Sequence, residues 1–98
     1  MRKMEAAKIY KIFHDAPVYD GDPLKNICKP EEVKKMPFIF DGDDAYLLAR
    51  QYDTLNAYRF RTIKMGNSIL PRCDKKPYLI KMWSSQESFD KLKKNYGY

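Results

Sequence analysis

Short apolar runs bounded by Pro, Gly and Asp make up most of the chain, and two of these runs have the pattern of strands. In residues 77–83, PYLIKMW, the alternation would point Tyr78, Ile80 and Met82 to one side of a sheet, and it would point Leu79, Lys81 and Trp83 to the other. Residues 37–40, PFIF, form an apolar run that stops at Asp41-Gly42, the pattern of a buried strand that leads into a turn. Both segments are therefore predicted to be strands.

Two other segments are compatible with either a strand or a helix. Residues 8–14, KIYKIFH, are rich in β-favouring residues but follow a segment of good helix formers. Residues 58–65, YRFRTIKM, combine aromatic and β-branched residues and end at Gly66-Asn67, although Gly66 could also cap a helix that continues to Met65. We expect a strand in both segments, and the helical alternative stays open for each.

A helix is predicted over residues 43–57. Leu48, Tyr52 and Leu55 recur at intervals of four and three residues, which would place them along one side of a helix. An aspartate at the start of this segment can cap the free amide groups of a first helical turn. The pattern therefore predicts the first of two main helices.

The second main helix is predicted near the end of the chain. Ser84 and Glu87 have the spacing of a capping box, in which each side chain satisfies a backbone amide at the helix start. Phe89 and Leu92 supply an apolar stripe, and lysines fall in the last turns, where positive charge suits the helix dipole. Gly97 marks the predicted end.

Proline and glycine divide the rest of the chain into loops and one short helix. Residues 15–30 contain many turn-forming residues and are predicted to be a long loop. Residues 30–36 are predicted to be a short helix, because a proline followed by two glutamates suits a first helical turn. Residues 66–77 are predicted to be another loop, with Ile69 and Leu70 as its apolar anchor.

Together these elements predict one α+β domain over residues 1–98. We expect about four short strands in an antiparallel or mixed sheet, with the two main helices on one face. A chain of this length can bury one core and not two. Aliphatic residues are scarce, but there are eight Tyr, five Met and one Trp, so we expect a core rich in aromatic rings.

Composition excludes several classes of protein. The uncharged stretches are far shorter than the ~20 apolar residues that cross a bilayer, and residues 1–8 lack the apolar run of a secretion signal. We therefore expect a cytoplasmic protein without a membrane partner. Cys28 and Cys73 are too few for a disulfide scaffold and have no partners at zinc-ligand spacing, so reduced, partly buried thiols are expected, and a bridge between them stays open.

The net charge of +6 is distributed unevenly. Residues 1–14 carry +3, residues 15–53 carry −4 and residues 54–98 carry +7. If the two positive segments share a face, that face would attract nucleic acid or an acidic protein surface, and the negative segment would orient the approach. Lysines that only keep the protein in solution are the alternative explanation.

Aromatic and basic residues alternate in the second half of the chain, where such a face would form. Rings can stack on unpaired bases while Lys and Arg contact phosphates. The same rings could instead form the core, and the basic residues near the C-terminus could be an ordinary solvated helix end. The candidate residues for binding nucleic acid or a partner are Tyr58, Arg59, Arg61, Lys64, Lys75, Lys76, Lys81, Lys91, Lys93 and Lys94.

Residues that could carry catalysis are few. Two Asp-Gly turns, at residues 20–22 and 41–44, could supply carboxylates for Mg²⁺ if they approached each other. Asp-Gly is also a common turn dipeptide, so turns and helix caps are the preferred interpretation. His14 beside Asp15 is the only imidazole, and a lone histidine is more often structural. We predict no catalytic residue, no cofactor and no metal site.

The sequence resembles no family, and three functions follow from these patterns. We expect a non-enzymatic module that binds nucleic acid through a cationic, tyrosine-rich face with low sequence specificity. The alternative is a protein-interaction factor, such as a phage-encoded regulator or inhibitor of a larger enzyme. The third is a metal-dependent nuclease that uses the Asp-Gly-Asp turns. The oligomeric state is left open.

Overall fold

The computed structural model describes residues 5–98. Residues 1–4, which include Arg2 and Lys3 of the positive N-terminal segment, lie outside the described residues. The elements along the chain are α1 (Ala6–Phe13), β1 (Tyr19–Asp20), α2 (Pro23–Asn26), α3 (Pro30–Val33), β2 (Ile39–Asp41), β3 (Asp44–Gln51), β4 (Thr54–Met65), β5 (Ser68–Pro71), β6 (Tyr78–Trp83) and α4 (Gln86–Lys94).

A mixed sheet of six strands organises the described part of the chain. Strands β3 and β4 form its centre as an antiparallel pair. On the far side of β3, β2 pairs antiparallel near its start and β1 pairs parallel near its end. On the far side of β4, β6 pairs with its first half and β5 with its second half. The 12-residue strand β4 is therefore shared by three neighbours.

Two hydrophobic clusters lie against opposite faces of this sheet. The first cluster joins the sheet to α1 and α4, and its buried members are Ile9, Tyr10, Phe13, Tyr46, Leu48, Leu55, Ala57, Trp83 and Phe89. The second cluster joins the other face to the segment that contains α2 and α3, and its buried members are Tyr19, Ile27, Met36, Ala45, Leu47, Ala49, Tyr58 and Phe60. The expected aromatic content of the core is evident in both lists.

The predicted helix over residues 43–57 is wrong, because this segment forms β3, a turn and the start of β4. Residues 45–49 are all buried. Consecutive strand side chains point to opposite faces, and both faces are covered here, so all five of these positions are apolar. A strand buried on both faces lacks the alternation that distinguishes strands from helices, and the spacing of Leu48, Tyr52 and Leu55 was coincidental.

The predicted strand over residues 8–14 is also wrong, because α1 covers most of this segment. Ile9, Tyr10 and Phe13 are all buried in the first cluster. A strand would send the adjacent Ile9 and Tyr10 to opposite faces, whereas a helix places all three on one side. Burial against one face of the sheet therefore favours the helix over the local β preference.

The remaining three segments predicted to be strands all contain strand residues. Residues 58–65 belong to β4, and residues 78–83 form β6. Only Ile39 and Phe40 of residues 37–40 belong to β2, and Phe40 is 48% exposed, so this strand is not buried as expected. A bulge in the pairing of β6 with β4 places Tyr78 on the same face as Lys81, so the alternation predicted for residues 77–83 is wrong. The α+β class and the mixed sheet are confirmed, although the sheet has six strands instead of four. The arrangement of two main helices on one face is not confirmed, since the first of those two predicted helices is strand β3.

Helix and loop predictions hold in part. The last helix is present, but Ser85 caps it by accepting from the Ser88 amide, one residue after the predicted Ser84. The predicted short helix ends at Val33. Both predicted loops contain short elements, and in the second one Ile69 and Leu70 are exposed strand residues, not an apolar anchor.

Candidate nucleic-acid interface

Three residues form a row across the sheet on the face of the first cluster. Arg59 of β4 lies directly opposite Tyr46 of β3 and directly opposite Tyr78 of β6. Residues opposite each other in neighbouring strands have their side chains on the same face. The Arg59 guanidinium carbon lies 5.3 Å from the centre of the Tyr78 ring, within the range of a cation–π contact. Tyr46 is buried, whereas Tyr78 is 38% exposed.

Lys81 adds a second cation beside this row. It lies opposite Ala57, two residues before Arg59 in β4. Its ammonium group lies 5.9 Å from the centre of the Trp83 ring, which anchors β6 in the first cluster. Residues 57 and 59 point to the same face of β4, so Arg59 and Lys81 share that face.

Helix α1 brings two lysines to the same side of the sheet. Lys8 and Lys11 are exposed and, together with Tyr46, line an open depression of about 700 Å³. Phe40 and Tyr98 also contribute to its walls. We call the set Lys8, Lys11, Tyr46, Arg59, Arg61, Tyr78 and Lys81 the cationic face.

The acidic turn between β2 and β3 borders the cationic face. Arg61 lies opposite Asp44 and forms an ion pair with it at 2.9 Å. Burial raises the pKa of the Tyr46 hydroxyl, the charges of Asp44 and Asp41 raise it further, and those of Arg59 and Arg61 oppose this. Both signs of charge therefore lie close to the Tyr46 ring.

The structure distributes the other predicted binding residues widely. Lys75 and Lys76 are exposed in the loop that leads into β6, close in sequence to Tyr78. Lys91 and Lys94 are exposed on α4, which packs on the face of the first cluster. Lys64 is exposed in the second half of β4. None of these five lysines forms an ion pair within residues 5–98.

Two predicted binding residues have internal partners. Tyr58 is buried in the second cluster, on the opposite face of the sheet, so its ring is not part of the cationic face. Lys93 donates to the His14 carbonyl at 3.0 Å and forms an ion pair with Asp90 at 3.5 Å. It also lies 5.4 Å from the centre of the Phe89 ring. Lys93 therefore ties α4 to the end of α1.

Sequence reasoning missed Lys8, Lys11 and Tyr46. The two lysines are three residues apart, a spacing that places side chains together on a helix but not on a strand. They would have been found only if residues 6–13 had been predicted as a helix. Tyr46 was missed because its segment was assigned to a helix.

The two Asp-Gly turns are not brought together. Asp20 pairs with Arg50 at the end of β3, whereas Asp41 lies opposite Asp44 at its start. Six residue steps along β3 separate Asp44 from Arg50, a distance of about 20 Å. Among the described residues, no group of three or more acids, cysteines or histidines has the arrangement of a metal site.

The individual groups of these turns have structural partners. Asp20 forms an ion pair with Arg50 at 3.1 Å, and Asp22 accepts from the Leu24 amide at the start of α2. These contacts agree with the preferred interpretation as turns and caps. The His14 ring stacks on Tyr98, with 4.3 Å between ring centres, and its Nε2 lies 3.9 Å from Asp15.

None of the helices within residues 5–98 is long and apolar enough to cross a membrane. Comparison of the chain with protein-family models, with curated proteins and with solved structures found no match.

Proposed function

We propose that this protein is a non-enzymatic module that binds nucleic acid with low sequence specificity through its cationic face. The observation that carries the proposal is the row of Tyr46, Arg59 and Tyr78, which combines a guanidinium group with a partly exposed ring. Lys81, Lys8 and Lys11 supply phosphate contacts on either side of that row. Tyr78 supplies a ring on which an unpaired base can stack.

The positive charges of the lysines in the cationic face support this function. The Lys8, Lys11 and Lys81 side chains form no ion pair within the described residues, so their charges are available to phosphates. Each phosphate that they neutralise releases a counterion, which favours binding at low salt. The carboxylates of Asp41 and Asp44 repel phosphates at one border of the cationic face and would orient the bound strand.

Fluorescence anisotropy of a labelled single-stranded oligonucleotide, titrated at several salt concentrations, tests the proposal. We expect affinity to fall steeply with salt. In the double variant Lys11→Gln/Lys81→Gln, affinity should fall at every salt concentration. The slope of log affinity against log salt should become shallower by about 1.4, because each lost contact with a single strand contributes about 0.7.

The matched control is the double variant Lys25→Gln/Lys29→Gln. Both lysines are exposed, neither forms an ion pair within residues 5–98, and both belong to the segment on the opposite face of the sheet. The control removes the same charge and should retain the wild-type slope. Equal weakening by both double variants would mean that only net charge matters. Wild-type binding that is insensitive to salt would contradict the proposal.

A second candidate function, a protein-interaction factor, is favoured by an apolar groove of about 450 Å³ between the segment that contains α3 and the strands β4 and β5. Ile63, Met65 and Leu70 line one wall and are exposed, and Lys34 lies at its border. This chemistry fits an apolar protein segment flanked by carboxylates. Partners that copurify with the tagged protein after nuclease treatment, and are lost in Met65→Glu, would favour this function over nucleic-acid binding.

A further inference from the structure

The two cysteines meet in space although 45 residues separate them along the chain. Cys28 lies between α2 and α3, and Cys73 lies between β5 and β6. The Cys28 thiol donates to the Cys73 carbonyl oxygen at 3.2 Å. Both residues are exposed, contrary to the expectation of partial burial, and both are free thiols. Small molecules in solution can therefore reach this pair.

The surroundings of Cys28 raise the pKa of its thiol. The hydrogen bond with Cys73 raises the pKa of Cys28, and the nearby charge of Asp74 raises it further. A thiol must lose its proton before it attacks a disulfide. Exchange at Cys28 therefore depends on the fraction of this thiol that has lost its proton.

We propose that Cys28 and Cys73 form a reversible intramolecular disulfide by exchange with a low-molecular-weight disulfide of the glutathione type. One cysteine thiolate attacks the small disulfide, forms a mixed disulfide and releases one small thiolate. The second cysteine thiolate then attacks the protein sulfur of the mixed disulfide and releases the other small thiolate. The protein loses two electrons and two protons, and the small disulfide becomes two thiols.

The bond would join the two walls of the apolar groove. Cys28 belongs to the wall that contains Ile27 and Val33, and Cys73 belongs to the wall that contains Leu70 and Pro71. In the reduced protein the contact between these cysteines is a single thiol hydrogen bond. A covalent link between them would hold the groove at fixed width and would remove conformational freedom from the unfolded chain.

Titration of the purified protein with glutathione buffers of increasing oxidised fraction tests this proposal. We expect both thiols to disappear together, with an intact mass lower by two hydrogen atoms. The yield should be the same at protein concentrations that differ tenfold. The melting temperature of the oxidised protein should rise by at least about 5 °C, and dithiothreitol should reverse the rise.

The single variants Cys28→Ser and Cys73→Ser are the controls. Each should stop at a mixed disulfide that carries one glutathione, and neither should gain the thermal stabilisation. If the wild-type protein also stops at mixed disulfides, or forms only dimers whose yield grows with concentration, the two cysteines do not pair and the proposal is overturned. The readouts do not involve nucleic acid, so this test is independent of the proposed function.

Discussion

Trp83 donates its indole N–H to the Tyr10 hydroxyl at 3.1 Å inside the first cluster, and both side chains are almost fully buried. In Tyr10→Phe the aromatic ring stays, but the indole N–H loses its partner where water cannot replace it. We expect the free energy of unfolding to fall by about 1–3 kcal/mol in urea titrations. Tyr52→Phe changes a side chain that is 99% exposed and should leave the free energy of unfolding unchanged. Equal losses of stability in Tyr10→Phe and Tyr52→Phe would contradict this account.

Glu32 links stability to pH. The Tyr19 hydroxyl donates to it at 2.9 Å and Lys35 lies at 3.2 Å, and these two contacts hold the pKa of the Glu32 carboxyl below its ordinary value. A carboxyl with a lowered folded pKa stabilises the protein above the unfolded pKa of about 4.3, and this stabilisation disappears as pH falls through the folded pKa. The stability difference between wild type and Glu32→Gln should therefore be largest near neutral pH and vanish in strong acid. A difference that urea titrations find constant from neutral pH to strong acid would refute the assignment.

Individual residues could be predicted where the signal is local. The serine-rich start of α4 identified the cap to within one position, because capping depends on neighbours in sequence. The pairing of Tyr10 with Trp83, 73 residues apart, could not be predicted, since nothing in either segment encodes the other.

At the scale of elements, the turn between β3 and β4 is the strained connection. Gln51 lies opposite Thr54, which leaves a two-residue turn in which Tyr52 has a φ of 56°. A residue with a Cβ is strained in this region, whereas glycine adopts it freely. We expect Tyr52→Gly to raise the free energy of unfolding by about 1 kcal/mol, because the exposed ring has no packing to lose. Denaturant titration measures this change.

The turn between β4 and β5 supplies the matched comparison. Gly66 has a φ of 61°, and an added Cβ would meet no atom within 4 Å. Gly66→Ala therefore tests the backbone conformation without a steric clash and should lower the free energy of unfolding by about 1 kcal/mol. A loss of stability in Tyr52→Gly would contradict the strain argument.

The elements that were predicted correctly are those whose type is indicated by residues within the segment or at its ends. Strand β6 was predicted from an apolar run that begins at Pro77, although a bulge interrupts its alternation. Strand β3 is central and apolar on both faces, and helix α1 is short, so the type of each depended on what packs against it.

At the scale of the whole molecule, the two clusters cannot unfold separately, because β3 and β4 contribute side chains to both. Leu47→Ala opens a cavity in the second cluster and should cost about 2–5 kcal/mol. The fluorescence of Trp83, which lies in the first cluster, should report this loss in a single transition that coincides with circular dichroism. A separate, earlier transition would show that the clusters are independent.

The charge asymmetry of the sequence predicted a positive face but not its composition. Arg59 and Lys81 were identified from their alternation with aromatic residues. The contribution of Lys8 and Lys11 depends on α1 packing against the sheet, and the exclusion of Tyr58 depends on which face of β4 it occupies. Neither the packing of α1 nor the face that Tyr58 occupies can be deduced from the local sequence.

The sharing of β4 by three neighbours limits where this chain can change its length. One residue inserted near Asn56 would invert every following position of the strand, so that Tyr58 and Phe60 would face α1 and α4 while Arg59 would face the second cluster. Insertions in the Tyr52-Asp53 turn or in residues 72–77 leave the pairing of β4 intact. Length variation in this fold is thus confined to its connections, because the register of β4 decides which side chains face each of the two clusters.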